Sequence, residues 1–186
     1  MVSLLLSSQT KDQITSEAVG KLIQHGLTVT RILQTSEAVI DSLISKVSFH
    51  NRKANYLKRV AVVLQEQYDG DIPSTLQELV ALPGIGPKMA YLTLDHAWDR
   101  TEGIGVDVHV HRISNRLQWV RRPTKEPEDT RRDLQDLIDR DLWREANRLL
   151  VGFGQTVCSA VNPKCPGCDL RLVCPASTAK RGNKGE

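Results

Sequence analysis

The sequence predicts an all-α protein in two lobes. Apolar residues recur at helical spacing along most of the chain, and cap and stop signals punctuate it at short intervals. No stretch shows the alternation and tight turn of a β-hairpin, and no internal repeat is present.

The elements follow in order. Val2–Leu6 is an apolar run with no cap before it, which reads as the interior of a buried helix and implies sequence upstream. No positive segment opens it, so no signal peptide is read there. Thr10 and Gln13 have capping-box spacing, opening a helix to about His25 with Gly26 as its stop. Ser36 caps a short helix through Ile44. A long amphipathic segment runs from about Asn51 to Tyr68, with Tyr56, Val60, Val63 and Leu64 at helical spacing. Asp69–Pro73 is a turn, and Ser74 is expected to cap a helix ending near Leu82. Another helix carries Met89 through Trp98, and Asp107 opens the next. Arg121–Pro127 is a charged connection, followed by helices over roughly Glu128–Asp139 and Leu142–Val151. The tail from Ala176 is small and polar and is expected to be disordered. The expected lobes are 1–104 and 105–186.

Composition narrows the function classes. The chain has 186 residues, enough for one large or two small domains, and 40% are hydrophobic, enough for a core. Aromatic residues are only 4%, which weighs against a stacking platform for single strands. No apolar run reaches membrane-spanning length. Net charge is +3, but its distribution is uneven. Ser42 to Gln65 contains no acid, while Lys46, Arg52, Lys53, Lys58 and Arg59 all fall there, a patch suited to a polyanion. Such a run is also what a solvated helix face looks like.

Leu82-Pro83-Gly84-Ile85-Gly86-Pro87-Lys88 lies between two helices. Glycine at Gly84 and Gly86 permits a tight turn and close backbone approach around Ile85. Outward amides and the dipole of the following helix favour an anion, and Pro87 fits a first helical turn. A helix–hairpin–helix element needs these parts to grip a DNA phosphate without reading sequence.

The only four cysteines form Cys158-x6-Cys165-x2-Cys168-x5-Cys174. This close spacing, without a secretory signal, points to metal rather than disulfides, either a [4Fe–4S] cluster or a zinc ion. His109 and His111 are not read as ligands, because positions i and i+2 of a helix diverge.

Lys88 and Asp107 are the candidate catalytic pair. A partly desolvated amine loses its proton more readily and becomes a nucleophile, and helix amides hold a carboxylate's charge. Together they suit attack on a sugar C1′ with oxocarbenium character. Singly, each has a plainer reading, as a phosphate-binding lysine and an N-cap.

At this point the chain resembles the endonuclease III family, most of all its eukaryotic members. The resemblance rests on Leu4–Thr10, the hairpin with Lys88, Val106-Asp107-x-His109, the segment Leu149–Gln155 and the cysteine array, all in family order. It covers nearly the whole chain. It implies a helix–hairpin–helix DNA glycosylase fold and a bifunctional glycosylase and AP lyase. The implied substrate is double-stranded DNA carrying an oxidised pyrimidine or an abasic site. Lys88 matches the lysine that forms a Schiff base, and Asp107 the aspartate that assists base departure. Gln9 matches the glutamine that fills the space left by the flipped nucleotide. Phe49 takes the place of an apolar wedge, with His50, Arg52 and Lys53 beside it as DNA contacts. Base extrusion is needed for access to C1′. The resemblance also tips the cysteines to a structural [4Fe–4S] cluster, with Lys164 in its loop touching DNA. It implies nucleus and mitochondrion, and a monomer is expected. DNA is expected to cross between the lobes, where Lys88 and Asp107 would meet. Val108 departs from the threonine common in relatives, and an upstream helix of the family is absent. A monofunctional adenine glycosylase is the near alternative, opposed by Lys88. A non-catalytic DNA-binding or iron–sulfur redox module is the distant one.

Overall fold

The computed structural model describes residues 1–177. The expected disordered tail lies, from position 178 on, outside those residues. Among the described residues the regular structure is helical throughout, as expected, and no helix is long and apolar enough to cross a membrane. The chain divides into two compact units, Met1–Glu102 and a second beginning at Gly103.

The first unit comprises α1 (Val2–Ser7), α2 (Asp12–His25), α3 (Val29–Gln34), α4 (Glu37–Leu43), α5 (His50–Gln67), α6 (Leu76–Ala81) and α7 (Pro87–Trp98). Its centre is α5, which packs against α1, α3 and α4. Ala54, Leu57, Ala61 and Leu64 recur at the 3–4 spacing that puts them on one face, and all are buried. Leu6, Leu22, Ile40, Ile44, Leu79 and Leu94 close the same core. Each such side chain contributes about 1.5–3 kcal/mol through burial.

The caps show where local signals prevail. Ser36 Oγ accepts from Val39 N–H at 3.4 Å, as expected for α4. The capping box at Thr10 does not form. The Thr10 hydroxyl is taken by tertiary partners, and α2 begins after Lys11 without a side-chain cap. At α6 the cap is Thr75 rather than Ser74: Thr75 Oγ1 accepts from Glu78 N–H and donates to the Glu78 carboxylate. The sequence did not announce α3, whose six residues are too few for a periodic signal and include β-branched Val29 and Thr30. Thr28 caps it, accepting from Arg31 N–H at 3.1 Å.

The second unit holds α8 (Val108–Leu117), α9 (Pro127–Leu137) and α10 (Trp143–Thr156), with short 3₁₀ turns at Arg140–Leu142 and Cys165–Gly167. Helix α8 packs against both α9 and α10 around Ile104, Val110, Ile113, Leu134 and Leu150. Helix α10 runs past the expected stop at Val151 to Thr156, through Gly152 and Gly154. Gly154 is there for contact, not for breaking the helix. A Cβ on it would lie 2.7 Å from His109 Cβ of α8, so the two helices touch only because it has none.

Candidate functional site

The hairpin is built on α5. Gly84 has φ +80°, which favours glycine, and a Cβ there would fall 2.4 Å from Tyr56 Cδ2. The turn thus lies against the Tyr56 ring. Ile85 anchors it from within: its side chain is buried, and its N–H donates to Leu82 O at 3.1 Å. Its amide and side chain are thus both used inside the hairpin, at a position expected to contact DNA. Gly86 is the N-cap of α7 with Pro87 in the first turn, and no side chain caps that end. Lys88 follows, half-buried, on the same first turn.

A second set of residues stands at the start of α5. Gln9 and Phe49 are exposed, and both hold left-handed backbone, φ 54° and 57°. Phe49 leaves 60% of its surface open. His50 is half-buried and its Nδ1 lies 2.6 Å from Asp41 Oδ1. Arg52 and Arg59 face solvent, and Lys46 pairs with Glu17 at 3.3 Å.

Two lysines of the basic patch turn away from any polyanion. Lys53 is only 4% exposed, and its ammonium donates to Leu6 O at 2.8 Å, Ser8 O at 2.6 Å and Thr10 Oγ1 at 3.3 Å. Burial lowers its pKa. Three carbonyl and hydroxyl acceptors fill its three donor positions inside the fold, where a phosphate contact was expected. Lys58 likewise donates to Ile32 O, Leu33 O and Thr35 O at the end of α3. Periodicity cannot reveal either role, since all the acceptors but Thr10 Oγ1 are backbone atoms and every one lies in a distant segment.

In the second unit Asp107 is the N-cap of α8, as expected. Its Oδ1 accepts from the N–H groups of His109 and Val110, both at 2.9 Å. The carboxylate is thereby aimed by the backbone and favoured by the helix dipole. Val108 is 70% exposed, so the departure at this position removes no contact within the unit's core. His109 and His111 are structural, as read: His109 packs on Gly154, and His111 Nδ1 lies 2.6 Å from Thr130 Oγ1.

The four cysteines line a single cavity together with Leu117, Phe153 and Lys164, and none is in a disulfide. Lys164 is exposed at its edge. Among the described residues no three His, Cys, Asp or Glu side chains converge tightly enough to hold one metal ion. The sequence did not single out Arg112 and Arg116, which stand one turn apart on α8 and hold this loop. Arg112 Nη2 donates to Gly154 O at 3.2 Å and Cys158 O at 2.8 Å. Arg116 Nη1 donates to Ser159 O at 2.7 Å and to Cys158 Sγ at 3.3 Å. Burial, and then the neighbouring Arg116, lower the Arg112 pKa. Their i, i+4 spacing puts them on one face of α8, but nothing local marks the distant loop they hold.

Residues 2–140 match the HhH-GPD superfamily of base excision DNA repair proteins. The chain is 54% identical to the endonuclease III-like protein 1 of Gallus gallus over 97% of its own length and 64% of that protein's. It is 46% identical to the endonuclease III homolog of Encephalitozoon cuniculi, covering 95% of this chain and 78% of that one. It spans about three fifths of the vertebrate relatives it matches. A trapped covalent intermediate of endonuclease III with DNA superposes at TM-score 0.90 and 26% identity, over 95% of this chain and 82% of that one. The hairpin, the capped aspartate and these matches agree, and the chain belongs to the endonuclease III family of HhH-GPD base excision DNA repair proteins.

Proposed function

We propose that the protein is a bifunctional DNA glycosylase and AP lyase that removes oxidised pyrimidines from double-stranded DNA. The observation that carries this reading is the place of Lys88, half-buried on the first turn of α7 directly behind the hairpin. A hairpin that grips a phosphate through backbone amides brings that amine to the sugar of the same strand. The likeness to an endonuclease III caught in a covalent bond with DNA supports the same chemistry.

Lys88 acts as the nucleophile. Its nitrogen bonds to C1′ of the damaged nucleotide while the C1′–base bond breaks, and that electron pair leaves with the base, which takes up a proton. The sugar then opens at the C1′–O4′ bond, leaving an imine on Lys88. Loss of a 2′ proton and of the 3′ phosphate cuts the strand. Asp107 stabilises the positive charge that develops at C1′ during base departure. Gln9 and Phe49 enter the duplex as the nucleotide swings out, which damage makes less costly. His50, Arg52, the backbone of Gly84 and Gly86, and Lys164 contact the DNA.

The donor set fits a [4Fe–4S] cluster held by Cys158, Cys165, Cys168 and Cys174. All four cysteines line one cavity, and in such a cluster each thiolate would bind its own iron. When bound it supplies structural order to the loop rather than a step of the reaction. On this reading the protein acts as a monomer, in nucleus and mitochondrion.

The test is borohydride trapping on a thymine-glycol duplex, with an ultraviolet–visible spectrum of the same sample. Wild type yields a covalent protein–DNA adduct and an iron–sulfur absorption band. Lys88→Ala keeps the band and yields no adduct. Equal trapping by both proteins removes Lys88 from the mechanism.

A further inference from the structure

Lys53 is spent inside the fold, although it sits four residues from the exposed Phe49 in a basic run. Its contacts are unusually placed. Its side chain holds Ser8 O at 2.6 Å and Thr10 Oγ1 at 3.3 Å, the two residues that flank Gln9. Its own backbone N–H donates to Phe49 O at 3.1 Å. Thr10 Oγ1 also accepts from Ser48 N–H at 3.2 Å, directly before Phe49. The turn carrying Gln9 and the turn carrying Phe49 are thus tied twice, through one hydroxyl and one buried ammonium. Both tips hold positive φ, a conformation that side-chain-bearing residues avoid unless the surroundings impose it. No side-chain cap explains this: Lys11 is the N-cap of α2 and Phe49 that of α5, and neither side chain caps its helix.

We propose that Lys53 is a positioning residue: it clamps the Gln9 and Phe49 turns to each other so that both side chains are presented together for insertion into the duplex. This rests on the reading of Gln9 and Phe49 as the inserting pair. The clamp acts on base extrusion, not on bond making. Substrates that need no extrusion should therefore be spared. A lysine that merely stabilised the fold would slow every substrate by the same factor.

The experiment compares the full-length wild type with Lys53→Met, which keeps the length of the chain and removes its donors. A thymine-glycol duplex and a single-stranded abasic oligonucleotide are the two substrates, each followed by single-turnover trapping. A 2-aminopurine beside the lesion reports extrusion by fluorescence. For Lys53→Met the duplex rate and the fluorescence rise fall on the order of 100-fold and to background respectively, while the single-strand rate stays within about threefold. Thr10→Val, which deletes only the shared hydroxyl, shifts the same ratio in the same direction and decides the matter if Lys53→Met fails to fold. A parallel loss on both substrates, or a preserved duplex rate in either folded variant, overturns the proposal. If the wild type forms no adduct on any substrate, the nucleophile reading has failed instead, and the fluorescence arm alone judges the clamp.

Discussion

Asp107 Oδ1 accepts from two amides of α8, and substitution can test the cap and the charge apart. Asparagine keeps a cap of nearly equal quality and loses the charge. We expect Asp107→Asn to melt within a degree or two of wild type and to bind DNA within about tenfold, while base release falls by about 100-fold or more. Asp107→Ala should in addition cost about 1 kcal/mol from the lost cap, read by denaturant unfolding. Binding that falls as far as base release would make the residue structural only. Glu128 gives a pH test. The hydrogen bond from Arg131 at 2.6 Å holds its pKa below the ordinary 4.5; burial opposes it, and the charges of Arg131 and Arg132 add to the lowering. A lowered carboxylate pKa means that the folded state binds the proton less readily than the unfolded chain. The stabilisation is therefore complete above 4.5 and is lost as pH falls through the lower folded value. Glu128→Gln should flatten the acid limb of a stability–pH curve and change neutral stability by less than about 1 kcal/mol, because the pair is part-exposed. An unchanged acid limb would show that the pair contributes nothing.

At the scale of elements, α5 organises the first unit. It carries the core face, the Phe49 turn at its start and Tyr56, on which the hairpin lies. Gly84 answers two demands at once, positive φ and close approach to Tyr56, so Gly84→Ala meets both penalties. We expect a loss of about 2–4 kcal/mol in stability, from strain plus overpacking, together with weaker DNA binding. Gly86→Ala, whose added Cβ meets nothing within 4 Å, should cost less than half as much. Equal Tm values for the two variants would refute the packing account. The long helices were legible from periodicity, because one buried face repeats over many turns. The short α3 was not, and the end of α10 was misplaced because glycine at a helix crossing looks in sequence like glycine at a helix stop.

At the scale of the whole molecule, net charge is a poor guide to where the polyanion lies. Of the five basic residues between Ser42 and Gln65, Lys53 and Lys58 serve backbone carbonyls, while Lys46, Arg52 and Arg59 remain exposed. The salt dependence of DNA affinity should sort them. Arg52→Gln should weaken affinity and reduce the slope of log K against log salt by about 0.9, the value for one phosphate contact. Lys58→Gln should leave that slope unchanged and lower Tm, because its donors hold the end of α3. A slope altered by Lys58→Gln and not by Arg52→Gln would reverse this assignment.

The sequence by itself determined the helical class, the hairpin, the Asp107 cap and the cysteine array, because each depends on residues close together along the chain. Only the tertiary structure decided which lysines face inward, how the Gln9 and Phe49 turns are joined, and that Arg112 and Arg116 hold the cysteine loop. Those outcomes turn on acceptors, most of them backbone carbonyls, that lie dozens of residues away, and carbonyls carry no residue-specific mark.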